Sequence, residues 1–394
     1  MADPMEALRR ARNAGWLADS DDGAAVVLTH ERVREMAADG RLHSNIVEFL
    51  RRMGVTSGPF YDWMAISPLN RDGAEHQRYR AIMSRTFTPR SVERLRPFLE
   101  RAAHELIDAF AGRGSCEFMA EFADAYPSLG LCELIGVPLE DRERFRGWAN
   151  TIGLGFSPVA LAERIADVDA ALTHLLTYTG ELAAHRRRHP EDDLVSRLSR
   201  AAEEDGWSDF EVRGFIAGLV FAGHETTKNQ LGWMVSSLAE RPDVWDAVWR
   251  QELTTSTVVE EVLRYRSAVT TIGRTVTEPV EHGGERFEPG TRLFLSLWSA
   301  DHDEATYPRP DDIAPEPNRT EPHLAFGHGA HHCLGAALAR SELREALAAL
   351  TTRLECPVVA EGAAWKPPVG INGPERLPLR FTGRHSRADR LGSS

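Results

Sequence analysis

The chain has little cysteine, almost no lysine and no long apolar run, and each shortage closes off a class of protein. Four cysteines in 394 residues (Cys116, Cys132, Cys333 and Cys356), widely scattered and with no CxxC pair, exclude a disulfide scaffold and point to a reduced cytoplasmic protein. Nowhere do about eighteen apolar residues run together, so no transmembrane helix and no membrane partner are expected. The opening MADPMEALRRARNAGWLADSDDG carries charge throughout and lacks the apolar stretch of a signal peptide. A net charge of −13 argues against nucleic acid as a partner. Of 46 basic residues only Lys228 and Lys366 are lysine, which reads as compositional bias without functional weight.

What is present is mostly helical pattern. THERVREMAADG has Thr29 placed as an N-cap and Gly40 past the end. Apolar residues at three- and four-residue spacing predict helices over DGAEHQRYRAIMSRTF, TPRSVERLRPFLERAAHELIDAFAG and CLGAALARSELREALAALTTRL. A long helix follows Ser208, opened by a Ser208-x-x-Glu211 capping box. Strands are expected around the turn centres Gly283-Gly284 and Pro289-Gly290. The proline- and acid-rich stretch from Asp301 to His323 has no period and is expected to be coil. The whole reads as one mainly α domain over residues 1–384 with a small β region, a polar, disordered tail over 385–394, and a monomer.

Four segments carry chemistry. FGHGAHHCLG, residues 326–335, sets three histidines and three glycines around Cys333. Gly327 and Gly329 permit a tight loop, Gly335 permits close approach by something flat, and a helix starting near Leu334 directs amides at the sulfur, favouring thiolate. A zinc site would need His328, one of His331 and His332, Cys333 and a fourth ligand for which no second cluster exists. AGHETT puts Gly223, Thr226 and Thr227 in mid-helix, where they are poor helix formers. Phe215, Gly218, Leu219, Ala222 and Thr226 share one face there, and an acid beside an alcohol, Glu225 and Thr226, can relay protons. EEVLRY contains Glu261 and Arg264, by themselves an ordinary helical ion pair. HQRYR puts His76 and Arg80 on the side of Met83 and Phe87, where cations are costly unless they meet an anion.

In this order the segments resemble the cytochrome P-450 family, whose haem loop reads Phe-Gly-x-Gly-x-x-x-Cys-x-Gly. The likeness runs from about residue 28 to the C-terminal strands. The resemblance implies that Cys333 ligates the iron of haem b, with Ala222, Gly223, Thr226, Phe326, Gly327 and Gly335 against the cofactor. It implies that His76, Arg80, Arg274 and His331 contact the propionates, and that Glu225 and Thr226 are the catalytic pair. It implies that Glu261 and Arg264 brace the coil leading to the cysteine. The family often places an arginine in that coil where Asp312 stands here, so either Arg319 substitutes or the brace is incomplete. By family position the substrate pocket draws on Phe60, Trp63, Met64, Gly218, Leu219, Ala222, Val269, Ile272 and Ile371. Where relatives commonly show Asn-Arg-Asp, this chain has Asp301-His302-Asp303, with no evident consequence for the chemistry. The implied activity is insertion of one oxygen atom from O2 into a small, largely apolar substrate. Electrons would come from NAD(P)H through a separate ferredoxin and ferredoxin reductase, docking on Arg71, Arg78, Arg85, Arg90, Arg340 and Arg344. The rivals are a haem-thiolate peroxygenase using H2O2, a non-catalytic haem sensor, and the zinc protein.

Overall fold

The computed structural model describes residues 4–44 and 46–384. The expected tail, 385–394, lies outside the described residues. The fold is mainly α with small sheets, as the periodicity predicts. Its axis is the 31-residue helix Asp209–Ala239. Ser208 starts it as the sequence predicts: its hydroxyl accepts the Glu211 N–H, and the Glu211 carboxylate accepts the Ser208 N–H at 2.7 Å. Phe215, Ile216, Val220, Leu231 and Met234 are buried along this helix, so it runs through the body instead of lying on its surface. Helices Ala125–Ile135, Arg142–Gly153, Pro158–Arg188 and Thr255–Tyr265 pack around it. Helix Ala336–Arg353, which follows the cysteine loop, packs on Pro89–Ala111 and on Thr255–Tyr265.

A five-stranded sheet has the order Leu17–Asp19, Ala25–Val27, Arg292–Ser296, Thr271–Val276, Leu42–His43. It encloses a smaller apolar core with Val27, Val33, Leu293 and Leu295, separate from the large helical one. The two turns expected at Gly283-Gly284 and Pro289-Gly290 are present. Gly283 and Gly284, at φ 58° and 84°, join Val280–His282 to Glu285–Phe287, and Gly290 at φ 88° leads into Arg292–Ser296. From His302 to His328 the chain has neither helix nor strand, as the missing period predicts. Helix His30–Ala38 starts after Thr29 as expected, but the Thr29 side chain makes no capping bond. Its first N–H, that of His30, instead donates to the carboxylate of Asp303 at 2.9 Å.

Candidate active site

Cys333 sits between a short turn, Gly329–His331, and the helix that begins at Ala336, two residues later than the sequence predicts. Gly327 and Gly329 have φ 68° and 74°, and a Cβ at Gly329 would lie 2.6 Å from the Ala37 carbonyl, so the loop packs backbone to backbone against helix His30–Ala38. The Cys333 N–H donates to the Phe326 carbonyl at 2.9 Å, closing the loop. Cys333 as a residue is exposed, while the chain crowds around its sulfur. Burial of the loop pushes the Cys333 thiol up, while the Gly335 and Ala336 amides, Arg80 and Arg340 pull the other way without winning. The amides favour thiolate as predicted, but they do not create it alone.

Four cationic or potentially cationic side chains gather beside the loop. The His76 ring lies 4.2 Å from that of His331, Arg80 donates to the His332 carbonyl at 2.6 Å, and Arg274 is buried. His331 Nε2 meets Asp72 Oδ1 at 2.8 Å. Burial, then His331 and Arg80, push His76 down to about 4, so it is a neutral imidazole at pH 7. Among the described residues neither Arg80 nor Arg274 has an ion-pair partner; the Arg274 guanidinium donates only to the Gly273 carbonyl at 2.8 Å. Two such cations beside one thiol are short of two anions.

Glu261 and Arg264 form a closed unit, each 1% exposed. Arg264 Nε and Nη2 donate to Glu261 Oε2 and Oε1, both at 3.0 Å. Its remaining donors reach the carbonyls of Asp301, Pro310 and Asp312, each at 2.8 Å. Arg319 pairs with Glu261 Oε2, so it stands in for the arginine that Asp312 displaces. The Asp301 carboxylate accepts the Leu324 N–H at 2.8 Å. The Asp301–Asp303 stretch thus ties the coil to the helix before it and to helix His30–Ala38, a role its sequence did not disclose.

On the central helix, Ala222 is exposed and Gly223 and Thr226 partly so, although their helical neighbours are buried. The Thr226 hydroxyl donates to the Ala222 carbonyl at 2.6 Å. Gly223 leaves room for Leu131, whose Cδ2 would lie 2.8 Å from an added Cβ, so its lack of a side chain serves helix packing. Glu225 is buried and faces cations: Lys366 Nζ donates to its Oε1 at 2.6 Å, and Lys228 Nζ lies 3.5 Å from Oε2. Burial raises the Glu225 carboxyl, but Lys228 and Lys366 outweigh it and hold it below the ordinary carboxylate range.

Of the expected pocket residues, Gly218, Leu219, Val269, Ile272 and Ile371 are partly exposed, and Val269 pairs with Ile371 across a single bridge. Phe60, Trp63 and Met64 are 0%, 3% and 0% exposed and belong to the apolar core. Phe60 and Trp63 join Phe156 and Phe221 in one aromatic cluster, in which Phe156 and Phe221 stack at 4.0 Å.

The profile of the cytochrome P-450 family matches residues 175–368. Over 372 residues the chain is 34% identical to luteothin monooxygenase of Streptomyces thioluteus, covering 94% of this chain and 91% of that protein. The chain belongs to the cytochrome P-450 family. It is an oxidoreductase of the monooxygenase type. It is also 34% identical to nocardicin C N-oxygenase of Nocardia uniformis subsp. tsuyamanensis, over 93% of this chain and 89% of the other. Its backbone is similar to that of P-450BioI in complex with an acyl carrier protein ligated to hexadec-9Z-enoic acid. The TM-score is 0.88 at 27% identity, covering 96% of this chain and 98% of that one.

Haem, the cofactor of cytochromes P-450, fits the donors present. One exposed cysteine, two arginines without carboxylates, two histidines and a helix face reduced to Ala222 suit an iron ligand, two propionates and a flat ring. Among the described residues no three His, Cys, Asp or Glu side chains come together as metal ligands. No described helix is long and apolar enough to cross a membrane. Sequence reasoning missed Asp72, Lys228 and Lys366. For Lys228 the three-residue spacing from Glu225 was a usable signal.

Proposed function

We propose that the chain inserts one oxygen atom from O2 into a small, largely apolar organic substrate, with Cys333 as the residue that would hold the iron of haem b. When bound, the haem supplies the oxygen-activating chemistry, to which a thiolate ligand lends electron density. His76, Arg80, Arg274 and His331 would hold the propionates, with Asp72 orienting His331 through Nε2. Glu225 and Thr226 serve protons on the distal side; their presence supports use of O2 over H2O2, which already carries the protons needed. Leu219, Ala222, Val269, Ile272 and Ile371 line the substrate space, while Phe60, Trp63 and Met64 shape it from behind.

Electrons reach the site from NAD(P)H through a separate ferredoxin and its reductase. Of the arginines expected to dock it, Arg78 pairs with Asp205, Arg71 with Glu75, and Arg340 and Arg344 with Glu260. Arg85 and Arg90 are exposed and without ion pairs among the described residues, so the contact concentrates there. Charge reversal at these two slows reduction by a ferredoxin and flattens its salt dependence.

The observation that carries the reading is a single thiol beside two cations that lack carboxylate partners. Its test is the reduced, carbon monoxide-treated spectrum. The red-shifted band of thiolate ligation is expected in the parent and lost in Cys333→Ser. An unchanged spectrum and turnover in Cys333→Ser sink the reading. A screen for substrate-induced spin-state shifts then defines the substrate.

A further inference from the structure

Of 46 basic residues only two are lysine, and both reach the same carboxylate. Lys228 approaches Glu225 from the next turn of the central helix and also donates to Asn150 Oδ1 at 2.7 Å. Lys366 comes from the far end of the chain. Asn229 completes the shell, its Nδ2 lying 3.0 Å from Glu225 Oε1. Asp124 balances the charge on the other side, 3.2 Å from Lys228 and 3.3 Å from the buried His224. In a chain that uses arginine almost everywhere else, lysine at both contacts is a chemical choice. An ammonium is a compact charge on a flexible stem and can let go of a carboxylate; a guanidinium fork, as at Arg264, is held by several parallel bonds.

Lys366 also stands at the base of a loop that forms part of the pocket wall. Its N–H donates to the Gly373 carbonyl at 3.0 Å, closing the loop. The buried Asn372 donates to the carbonyls of Lys366 and Pro367 at 2.9 and 2.6 Å. Between them, Gly370 accepts the Thr270 N–H at 3.3 Å and Ile371 bridges to Val269. A displacement of Ile371 is therefore passed through a stapled loop to Lys366.

We propose that Lys366 is a positioning residue for Glu225, and that loop 366–373 makes the placement of this acid depend on the pocket wall at Ile371. The proposal rests on the reading of Glu225 and Thr226 as the proton-serving pair and of Ile371 as pocket wall. Lys366 and Lys228 hold the carboxylate among Asn150, Asn229, Asp124 and His224. When Lys366 yields, the acid is free to turn toward Thr226.

Two lysines make the test direct. In haem-loaded protein labelled with 13C and 15N at lysine, held in the reduced, carbon monoxide-bound state, only two side-chain ammonium signals arise. Glu225→Gln is expected to move both; Lys366→Met moves the one that remains; Ile371→Ala moves that of Lys366, while Val358→Ala on an exposed strand moves neither. Signals unmoved by Glu225→Gln overturn the clamp, and a Lys366 signal unmoved by Ile371→Ala overturns the loop coupling. The functional arm uses O2 reduction without substrate, with electrons from NADPH through a ferredoxin and reductase. Lys366→Met is expected to cut the electron flow ending in water about tenfold in favour of peroxide, with an altered pH profile, and Lys366→Arg, whose fork holds the carboxylate without letting go, not to restore it. If Thr226→Val diverts electrons to peroxide and Lys366→Met does not, the inference fails alone. If Thr226→Val has no effect, the reading of the pair fails, whatever the lysine signals show.

Discussion

Two buried glutamates in this molecule are each held by two cations, and they are built for opposite purposes. Glu261 meets two arginines, and its own N–H acceptor role toward Ala314, at 2.7 Å, leaves neither oxygen idle. Every donor of Arg264 in that unit goes to a carboxylate or to a carbonyl of the coil before the cysteine loop. Nothing can move there without several bonds breaking together. Glu225 meets two lysines, one of them 28% exposed, through one short bond and one longer contact. The first arrangement fixes the approach to Cys333; the second leaves a charge that one bond can release. The same count of charges gives a rigid joint in one place and a movable one in the other, because the cation's geometry differs.

The largest effect expected from breaking this contrast is at Arg264. Arg264→Ala leaves Glu261 buried with only Arg319, and costs about 3–5 kcal/mol in stability, read from the denaturant midpoint of the haem-loaded protein. Arg264→Lys recovers little, because an ammonium cannot replace the fork. Next comes pH dependence at Asp301, whose carbonyl belongs to the same joint. Burial pushes its carboxyl up to about 8. The folded chain therefore keeps a proton that the unfolded chain releases near about 3.9, and this stability is complete below that value and lost as pH rises toward 8. Asp301→Asn can still accept from Leu324 but does not titrate. Relative to the parent it gains on the order of 1 kcal/mol per pH unit between about pH 5 and 8 in denaturation curves. A constant difference across that range refutes a neutral Asp301. The smallest effect is at Lys366, where Met costs less than about 1 kcal/mol in the same assay because Lys228 remains and the site is partly solvated. A loss as large as that at Arg264 would put the two glutamates in one class.

Where the signal was local, the sequence was readable. The capping box at Ser208, the glycine turns and the loop from Phe326 to Gly335 each depend on residues a few positions apart. Glu261 and Arg264 were readable only because they stand in order between two stronger motifs. What failed was contact across distance. Lys366 reaches Glu225 over 141 positions and His331 meets Asp72 over 259, and no periodicity encodes such pairs; Arg319, 58 positions from Glu261, entered only as one of two alternatives. Lys228 was within reach of spacing rules, yet the scarcity of lysine read as bias, and both lysines stand at Glu225. Phe60, Trp63 and Met64 show the limit of composition, since a pocket wall and a core use the same apolar residues.

The aromatic cluster carries a consequence for how this enzyme can change. Phe60 meets Trp63 and Phe156, Trp63 meets Phe221, and Phe221 stacks on Phe156, which closes a ring of contacts drawn from three separate parts of the chain. Residues in mutual contact do not contribute additively. A lineage or a laboratory library that varies one of these four positions alone will mostly meet neighbours shaped for the old side chain. If the quartet backs the substrate space as proposed, new substrate shapes arise through its correlated replacement, and single-site scans understate how far that space can be remodelled.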